Sequence, residues 1–399
     1  MKYLILGAGP SGLTIANKLL QSGETEFLVL ERNSTAGGLC RSEEVDGRPL
    51  DIGGGHFLDV RNEKVLDFLF KFLPKDNWDR YERDSRIVVD GHEIGSPIEA
   101  NIWQLPIESQ VEYLKAIAVA GCNKDEPMPE KFVDWIYWKL GAKIAEDYMI
   151  PYNQKMFGED LNSLGTYWLS KLPNVSFEET LISCLERKAY GKQPAHASFY
   201  YPKEYGYGQL FENMAKELGD RIIYNEPVKS LDYDNLVVND TYRADVIIST
   251  IPWVGIENHI NLPSEYEQSL RKLKYSSVVI EYVPDMLDTK AQWVYYPNQE
   301  LSYHRILVRH NFCPNSKGYW TETNLTRFDK SGKDSDTYFV NDYAYPLNTI
   351  GKEEIMADFL AFTKSKGIIG LGRWGEWQHY NSDVVVDRAL TLAKELTTV

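Results

Sequence analysis

Residues 2–31, KYLILGAGPSGLTIANKLLQSGETEFLVLE, decide the fold. An apolar strand at the start of this stretch is followed by a glycine-rich turn, an amphipathic helix over residues 10–22 and a second strand. Gly7 permits the tight turn, Gly9 lets a pyrophosphate approach the backbone, and Gly12 lets the helix pack close to the sheet. This arrangement predicts a Rossmann-type dinucleotide-binding unit.

The ligand contacts of this unit follow from its geometry. Pro10 and Ser11 open the helix, whose N-terminus offers N–H donors and a partial positive charge to phosphate groups. Glu31 ends the second strand, where its carboxylate is placed to accept hydrogen bonds from ribose hydroxyls and would repel a 2′-phosphate. The pattern therefore argues against NADP and leaves NAD and FAD open, with a chance glycine-rich turn as the alternative.

The composition excludes several classes of protein. The chain has 399 residues and a formal net charge of −15, from Lys+Arg 43 against Asp+Glu 58. At roughly 100–200 residues per domain, this length predicts two or three domains. A strongly acidic chain lacks the field of Lys and Arg that attracts phosphate, so we expect no nucleic-acid partner. No apolar stretch approaches the length of a membrane span, so we expect no membrane insertion.

The cysteine pattern bears on the compartment. Cys40, Cys122, Cys184 and Cys313 are widely separated, without a CxxC pair or the spacing of metal ligands. Four scattered thiols are typical of a reduced setting, so we expect a soluble, cytoplasmic protein without a metal site. A homodimer is one assembly that the sequence leaves open.

Four separated segments resemble, in order, the FAD contacts of glutathione-reductase-like flavoproteins. They are AGGLCRS (36–42), NEPVKSL (225–231), ADVIISTIP (244–252) and GIIGLGRWGEW (367–377). The first resembles the glycine motif that passes close to an extended cofactor, and the last resembles the segment whose following helix faces the flavin. The resemblance implies FAD rather than NAD. It also implies a set of cofactor contacts, namely Arg32, Gly38, Leu39, Val228, Thr250, Gly372, Arg373, Asp383 and Val384.

The rest of the chain indicates interleaved domains. RIVVDGHEIGSP (86–97) predicts a hairpin that turns at Asp90-Gly91, and residues 108–170 have mainly helical spacing. We therefore expect an α/β fold, in which a glutathione-reductase-like FAD-binding Rossmann domain carries inserted helical and antiparallel-sheet substrate regions. The expected boundaries are residues 1–85, 206–255 and 351–399 for the FAD-binding domain, 86–205 for a substrate region with hairpin and helices, and 256–350 for a substrate-domain sheet.

The substrate regions resemble a known family. The chain is similar to UDP-galactopyranose mutase, within the wider group of flavoproteins that includes amine oxidase and protoporphyrinogen oxidase. The segments that carry the likeness are GGGHF (53–57), VDGHEIGSPIEANI (89–102), IPYNQKMFG (150–158), YHRILVRHNF (303–312), YPLNT (345–349) and GRWGEWQHY (372–380). Their common order along the chain makes the set fairly specific.

The sequence also departs from that family's pattern. The run KLPNVS (171–176) has no arginine where the family has a second diphosphate-binding arginine. Phe157 stands where the family has tryptophan, and the run from the last motif to Asp383 is longer. A related nucleotide sugar, or another substrate on the same scaffold, therefore stays open.

The resemblance implies a set of site residues. His56 would lie with Gly55 at the flavin, where its hydrogen bond or charge would tune N5, unless it is a core histidine. Arg305 would bind the substrate diphosphate bidentately, unless it forms a strand ion pair. The implied catalytic residues are His56, Arg305, Tyr345 and Tyr380. The implied substrate contacts are Tyr152, Phe157, Asn101, Tyr201, Arg305 and Tyr345, with Arg309, Lys155 and Lys203 as secondary cations.

The implied reaction is the pyranose–furanose isomerisation of a nucleotide sugar for surface polysaccharide synthesis. N5 of reduced FAD would attack the anomeric carbon and UDP would leave, with no net redox change. Such chemistry needs no protein nucleophile, and the sequence has no recognisable Ser/His/Asp or Cys/His arrangement. The alternatives are an FAD oxidoreductase of the amine oxidase or protoporphyrinogen oxidase type, and a flavin-binding protein without catalysis.

Overall fold

The computed structural model describes residues 1–59, 61–158, 160–169, 175–190 and 197–397. The helices are α1 (Pro10–Gln21), α2 (Glu63–Leu69), α3 (Ile98–Asn101), α4 (Ile107–Ala118), α5 (Phe132–Ile144), α6 (Ile150–Phe157), α7 (Phe177–Glu186), α8 (Gly208–Leu218), α9 (Ser264–Leu270), α10 (Lys352–Ser365), α11 (Gly372–Gly375) and α12 (Ser382–Thr397). The strands are β1 (Tyr3–Leu6), β2 (Phe27–Leu30), β3 (Ser42–Val45), β4 (Arg48–Asp51), β5 (Leu58–Asp59), β6 (Trp78–Glu82), β7 (Ser85–Val89), β8 (His92–Gly95), β9 (Ser198–Pro202), β10 (Ile222–Ile223), β11 (Ser230–Asp232), β12 (Val237–Val238), β13 (Tyr242–Arg243), β14 (Val246–Ser249), β15 (Asn258–Ile260), β16 (Tyr275–Val283), β17 (Trp293–Tyr295), β18 (Arg305–Leu307), β19 (Tyr319–Asn324), β20 (Tyr338–Pro346) and β21 (Ile368–Gly370).

A five-stranded parallel sheet carries the predicted strand–turn–helix–strand unit. Its strand order is β10-β2-β1-β14-β21. Along β1, Tyr3 and Ile5 face one apolar cluster while Leu4 and Leu6 face another, so both faces of the sheet are covered. On one side, α1 packs against α8 and α12. These features confirm the predicted α/β class.

A seven-stranded mixed sheet stands beside it, in the order β20-β16-β19-β18-β17-β7-β8. Strands β17 and β7 pair in parallel and the other neighbours are antiparallel. The predicted hairpin is β7–β8. Its turn residues Asp90 and Gly91 have φ of 53° and 72°, the left-handed values that a two-residue hairpin turn requires.

Helices α4 to α6 lie in the stretch 108–170 for which helical spacing is predicted, α7 follows it, and α6 packs against β19 of the mixed sheet. Helix α5 kinks at Gly141, where a Cβ would lie 2.3 Å from the carbonyl oxygen of Ala116 in α4. This close approach lets α4 and α5 pack tightly against each other, which a larger residue at position 141 would prevent. Within the described part of the chain, every helix is too short or too polar to cross a membrane.

Asp51, the last residue of β4, has a buried carboxylate that lies beside the start of α8. Its Oδ1 accepts hydrogen bonds from Ser42 Oγ (2.6 Å) and the backbone N–H of Tyr207 (3.0 Å), and its Oδ2 accepts one from the Tyr201 hydroxyl (3.1 Å). Burial outweighs these hydrogen bonds and raises the pKa of Asp51 to about 7. The carboxyl group therefore takes up a proton far more readily in the folded chain than in the unfolded one.

This pKa shift makes stability depend on pH. Because an unfolded aspartate has a pKa of about 3.9, the folded state holds the extra proton between about pH 4 and pH 7, and stability falls as the pH rises through that window. We expect Asp51→Asn, which keeps the shape without the charge, to flatten this dependence and to raise the free energy of unfolding near pH 8 by about 1–3 kcal/mol. Urea unfolding at several pH values measures both effects. A variant curve parallel to that of the wild type would contradict a titrating Asp51.

Candidate active site

A cavity of about 380 Å³, here called the dinucleotide cavity, lies at the carboxyl ends of β1, β2 and β14. Gly7, Glu31 and Thr250, the residues directly after those strands, line it, as do Pro10 and Ser11 in the first turn of α1. The carboxyl edge of a parallel sheet is where α/β folds bind dinucleotides, and a helix N-terminus suits their phosphates.

The wall beside α1 is bare backbone that only glycine permits. Gly7 has φ +96°, and a Cβ there would lie 2.8 Å from Thr250 Oγ1. A Cβ on Gly12 would lie 1.9 Å from the carbonyl oxygen of Gly7, so the helix could not pack on the turn. A Cβ on Gly38 would come within 3.2 Å of the Gly9 Cα. The two glycine segments thus form a cradle that a larger residue would fill.

Glu31 is anchored at the edge of this cavity. Its Oε2 accepts a hydrogen bond from the backbone N–H of Ala8 (2.8 Å), and its Oε1 accepts from the backbone and side-chain nitrogens of Asn33 (both 2.9 Å). Each carboxylate oxygen can accept more than one hydrogen bond, so the fixed carboxylate can still bind a ribose hydroxyl. Arg32 lies next to it, 5.8 Å from the ring centroid of Tyr343.

A second cavity of about 210 Å³ continues from the first. We call it the arginine cavity because Arg83, Arg305 and Arg373 line it. The residues that line both cavities are Leu39, His56, Arg373 and Ser382. An elongated site with a glycine cradle at one end and His56 at the junction fits an extended flavin dinucleotide.

His56, at this junction, is a neutral imidazole. Burial, reinforced by the charges of Arg373 and Arg305, lowers the pKa of His56 to about 3. Its Nδ1 lies 2.9 Å from the carbonyl oxygen of Gly54, which can only accept, so Nδ1 carries the proton. Nε2 is then an acceptor that no described residue engages. The sequence suggests that His56 could act on a flavin through a hydrogen bond or through a charge. A neutral His56 can offer the hydrogen bond but not the charge.

Arg305 is held in place by a buried carboxylate. Its Nε donates to Glu322 Oε2 at 2.6 Å, and its Nη2 donates to the Tyr345 hydroxyl at 3.1 Å. Glu322 is fully buried, and its Oε1 accepts from the backbone N–H of Gly55 at 3.1 Å. Burial alone would lower the pKa of Arg305, but Glu322 and the neighbouring tyrosine hydroxyls together outweigh it and hold that pKa well above the usual value. The guanidinium is therefore charged and oriented at the cavity wall.

Arg373 is bound by carbonyl groups. Its Nε and Nη2 donate to the carbonyl oxygen of Tyr380 at 2.9 and 2.7 Å, and its Nη1 donates to that of Ala344 at 3.1 Å. Burial lowers the pKa of Arg373, but a guanidinium stays protonated in proteins. Its charge is added to the junction, and it ties the segment after α11 to the end of β20.

Most of the predicted cofactor contacts line the dinucleotide cavity. They are Gly7, Gly9, Pro10, Ser11, Glu31, Arg32, Gly38, Leu39, His56, Val228, Thr250 and Arg373. Of the predicted catalytic residues, Arg305 and Tyr345 line the arginine cavity, His56 lines both cavities, and Tyr380 lines the dinucleotide cavity. Gly55 lines the arginine cavity. The roles of these residues stay predictions, but the fold brings them together.

Four predicted cofactor contacts line neither cavity: Gly12, Gly372, Asp383 and Val384. The two glycines lie behind the wall, and a Cβ on Gly372 would meet Ser11 Oγ at 2.0 Å. At the start of α12, Ser382 and Val385 line the dinucleotide cavity instead, because residues three apart share one face of a helix. The sequence locates this helix correctly but not the face that it turns to the cavity.

The predicted substrate contacts that line neither cavity are Tyr152, Phe157, Asn101 and Tyr201, all of them buried. The Tyr201 hydroxyl donates to Asp51, and Asn101 Nδ2 donates to the carbonyl oxygen of Pro97 at 2.9 Å. Tyr152 packs edge-on against Tyr295 at 5.5 Å between ring centroids. In this structure these side chains therefore belong to the packed core and not to the lining of either cavity.

The three secondary cations contact other groups of the protein and line neither cavity. Arg309 is fully buried and donates to several carbonyl oxygens, including that of Lys317 at 2.8 Å. Lys155 Nζ donates to the carbonyl oxygens of Tyr296 (2.8 Å) and Asn298 (2.7 Å), and burial lowers the pKa of Lys155 to about 8. Lys203 Nζ lies 3.9 Å from Asp79.

Sequence reasoning missed two residues that shape the arginine cavity. Glu322 had a weak signal, as an acid inside the otherwise uncharged strand YWTETN (319–324). Arg83 had none, because it precedes the hairpin in an exposed-looking charged run. Residues 171–176 lack the family's second diphosphate-binding arginine. Residues 171–174 lie outside the described residues, so this difference from the family is known from the sequence alone.

Comparison with known proteins agrees with this site. The sequence profile for "Flavin containing amine oxidoreductase" matches residues 10–283. UDP-galactopyranose mutase of Mycoplasma pneumoniae is 22% identical over 99% of this chain and 96% of its own length. dTDP-fucopyranose mutase of Escherichia coli is 22% identical over 98% of this chain and 97% of its own length.

The crystal structure of reduced UDP-galactopyranose mutase has the same fold. Its TM-score is 0.88 at 21% identity, and the match covers 100% of this chain and 95% of that chain. The profile match covers more than half of the sequence and includes most of the FAD-shaped site. The chain is therefore an FAD-dependent flavoprotein and belongs to the flavin-containing amine oxidoreductase family.

Proposed function

We propose that this chain interconverts the pyranose and furanose forms of a nucleotide sugar with reduced FAD. The observation that carries the proposal is the arginine cavity, which continues from the dinucleotide cavity and is lined by Arg83, Arg305 and Arg373. The two relatives named as mutases, which match almost the whole chain, support it.

The charge of the arginine cavity favours an anionic substrate over an amine. Three guanidinium groups line it, and the nearby carboxylate of Glu322 is already paired with Arg305. A protonated amine would meet net positive charge in a region of low dielectric, where like charges repel strongly. A nucleoside diphosphate would instead find donors that match its oxygens. The charge of the cavity therefore favours the mutase function over an FAD oxidoreductase that acts on an amine.

The chain's own contribution would be binding and orientation. When bound in its reduced form, FAD supplies a nucleophilic nitrogen for the anomeric carbon, with no net redox change. Arg305, oriented by Glu322 and Tyr345, would bind a phosphate oxygen and stabilise the charge that develops on the leaving nucleoside diphosphate. His56 Nε2 would accept a hydrogen bond at the junction of the cavities. Holding the sugar beside the cofactor is then the main source of rate.

The compartment is part of the same proposal. Cys40, Cys122, Cys184 and Cys313 are all free thiols. Unpaired thiols support a reducing compartment, and we place the reaction in the cytoplasm. A homodimer stays a prediction from the sequence.

An isomerase assay tests the function directly. Purified holoprotein is incubated with UDP-galactofuranose and, separately, with dTDP-fucofuranose, each with and without dithionite. We expect conversion of at least one sugar to its pyranose form, faster by at least about 100-fold with dithionite, because only the reduced flavin is nucleophilic. Chromatography of the nucleotide sugars measures the conversion. No conversion of either sugar, with oxygen uptake on an amine, would establish the oxidoreductase instead.

Variants of the Arg305–Glu322 pair test the role of Arg305. Arg305→Gln leaves a buried carboxylate unpaired, and breaking such a pair costs about 3–5 kcal/mol, so thermal unfolding should shift strongly. In the double variant Arg305→Gln with Glu322→Gln, neutral amides replace both charges, and most of that stability should return. UDP binding, measured by calorimetry on the holoprotein, should stay weakened in both variants by about tenfold or more.

The double variant separates binding from stability. If it recovers both the unfolding temperature and the affinity for UDP, Arg305 is a structural ion pair and not a ligand for phosphate. The flavin absorbance per mole of protein serves as the control in every variant, because Arg305 lines the arginine cavity and not the dinucleotide cavity.

A further inference from the structure

Arg83 is a fixed cation in the arginine cavity whose charge is not neutralised by a neighbour. Its Nε donates to Ser85 Oγ at 2.7 Å, and its Nη2 donates to the Tyr295 hydroxyl at 2.8 Å. Both acceptors are neutral hydroxyl groups, and among the described residues no carboxylate forms an ion pair with it. Its guanidinium carbon lies 4.4 Å from the centroid of the Trp293 ring.

The strand register places Arg83 on the same face of the sheet as Arg305. Trp293 and Tyr295 are two residues apart in β17, so their side chains point to the same face. Tyr295 pairs with Arg305 in β18, and side chains of paired residues lie side by side. Arg83 lies over Trp293 and reaches the Tyr295 hydroxyl, and it lines the same cavity as Arg305. The two guanidinium groups are therefore neighbours across Tyr295.

The other cations at this cavity have their donors or charges engaged. Arg305 is paired with the buried carboxylate of Glu322, and Arg373 donates through all three nitrogens to carbonyl oxygens. Of the described arginines that line this cavity, only Arg83 combines a charge that no carboxylate neutralises with an edge of the guanidinium that is open to a ligand. Its Nη1 makes no hydrogen bond with the described residues, and the stack on Trp293 with two hydroxyl anchors holds the guanidinium plane in place.

We propose that Arg83 binds the diphosphate of the nucleotide-sugar substrate, together with Arg305. A guanidinium held against an aromatic ring loses little conformational freedom on binding and presents its remaining N–H groups to phosphate oxygens. The inference rests on the proposed function for the identity of the substrate. The binding of a diphosphate group by Arg83 does not depend on which base or sugar is attached.

Two substitutions and a matched control test this role. Arg83→Gln removes the charge, and Arg83→Lys keeps it without the planar fork. Arg86→Gln is the control, because Arg86 lies three residues further along the chain in β7, pairs with Asp84 and lines neither cavity. Calorimetry on reduced holoprotein measures the binding of UDP, uridine and inorganic pyrophosphate by each protein.

We expect Arg83→Gln to weaken the binding of UDP and of pyrophosphate by about tenfold to a hundredfold, and the binding of uridine by less than about twofold. Arg83→Lys should fall between Arg83→Gln and the wild type, and Arg86→Gln should match the wild type. The affinity for UDP should also depend less on salt in Arg83→Gln. Flavin content should be equal in all of them.

Two results would overturn the inference. One is unchanged UDP and pyrophosphate binding in Arg83→Gln, and the other is an equal loss for UDP and uridine, which would mark a supporting role for the cavity wall. A different result would contradict the proposed function while leaving the role of Arg83 intact. If the wild type binds pyrophosphate through Arg83 but converts neither furanose substrate, the diphosphate site stands and the mutase assignment falls.

Discussion

The carboxylate of Glu322 is the interaction on which the substrate side of the site depends. It is fully buried, and it binds the Arg305 side chain with one oxygen and the backbone N–H of Gly55 with the other. These two contacts join the mixed sheet to the glycine-rich loop that carries His56 between the cavities. A buried charge is costly unless its partners are all in place, so the pair requires both segments to be positioned correctly at once.

The dinucleotide side depends on the absence of side chains. Gly7, Gly12 and Gly38 let the turn, the helix and the following loop approach more closely than a Cβ at those positions would allow. The chemistry there is supplied by backbone N–H groups and by Glu31, which the turn itself holds through Ala8. One half of the site is thus built from local backbone geometry and the other from a long-range ion pair, and His56 lies where the two halves meet.

This division explains what the sequence could predict. The glycine turn, Glu31 and the hairpin turn at Asp90 are encoded by a few consecutive residues, and their structures agree with the predictions. The position of Arg83 depends on Tyr295, more than 200 residues away, and that of Glu322 depends on Arg305 on a neighbouring strand. No local sequence pattern therefore identifies either residue. Tyr152 was predicted as a substrate contact because its segment resembles a pocket lining, but whether a ring faces a cavity or supports its wall is decided by tertiary packing.

The net charge of −15 sharpens the argument for an anionic substrate. At long range such a chain repels a nucleoside diphosphate, so the attraction must come from groups within contact distance. Arg305 and Arg373 are held by buried partners, and Arg83 is held by a tryptophan ring and two hydroxyls, so all three guanidinium groups are oriented before any ligand arrives. Donors fixed in advance in a cavity bind an anion more strongly than mobile surface cations do, because they lose little conformational freedom on binding and are screened less by water and salt. The cavity can therefore select anionic substrates even though the surface as a whole disfavours them.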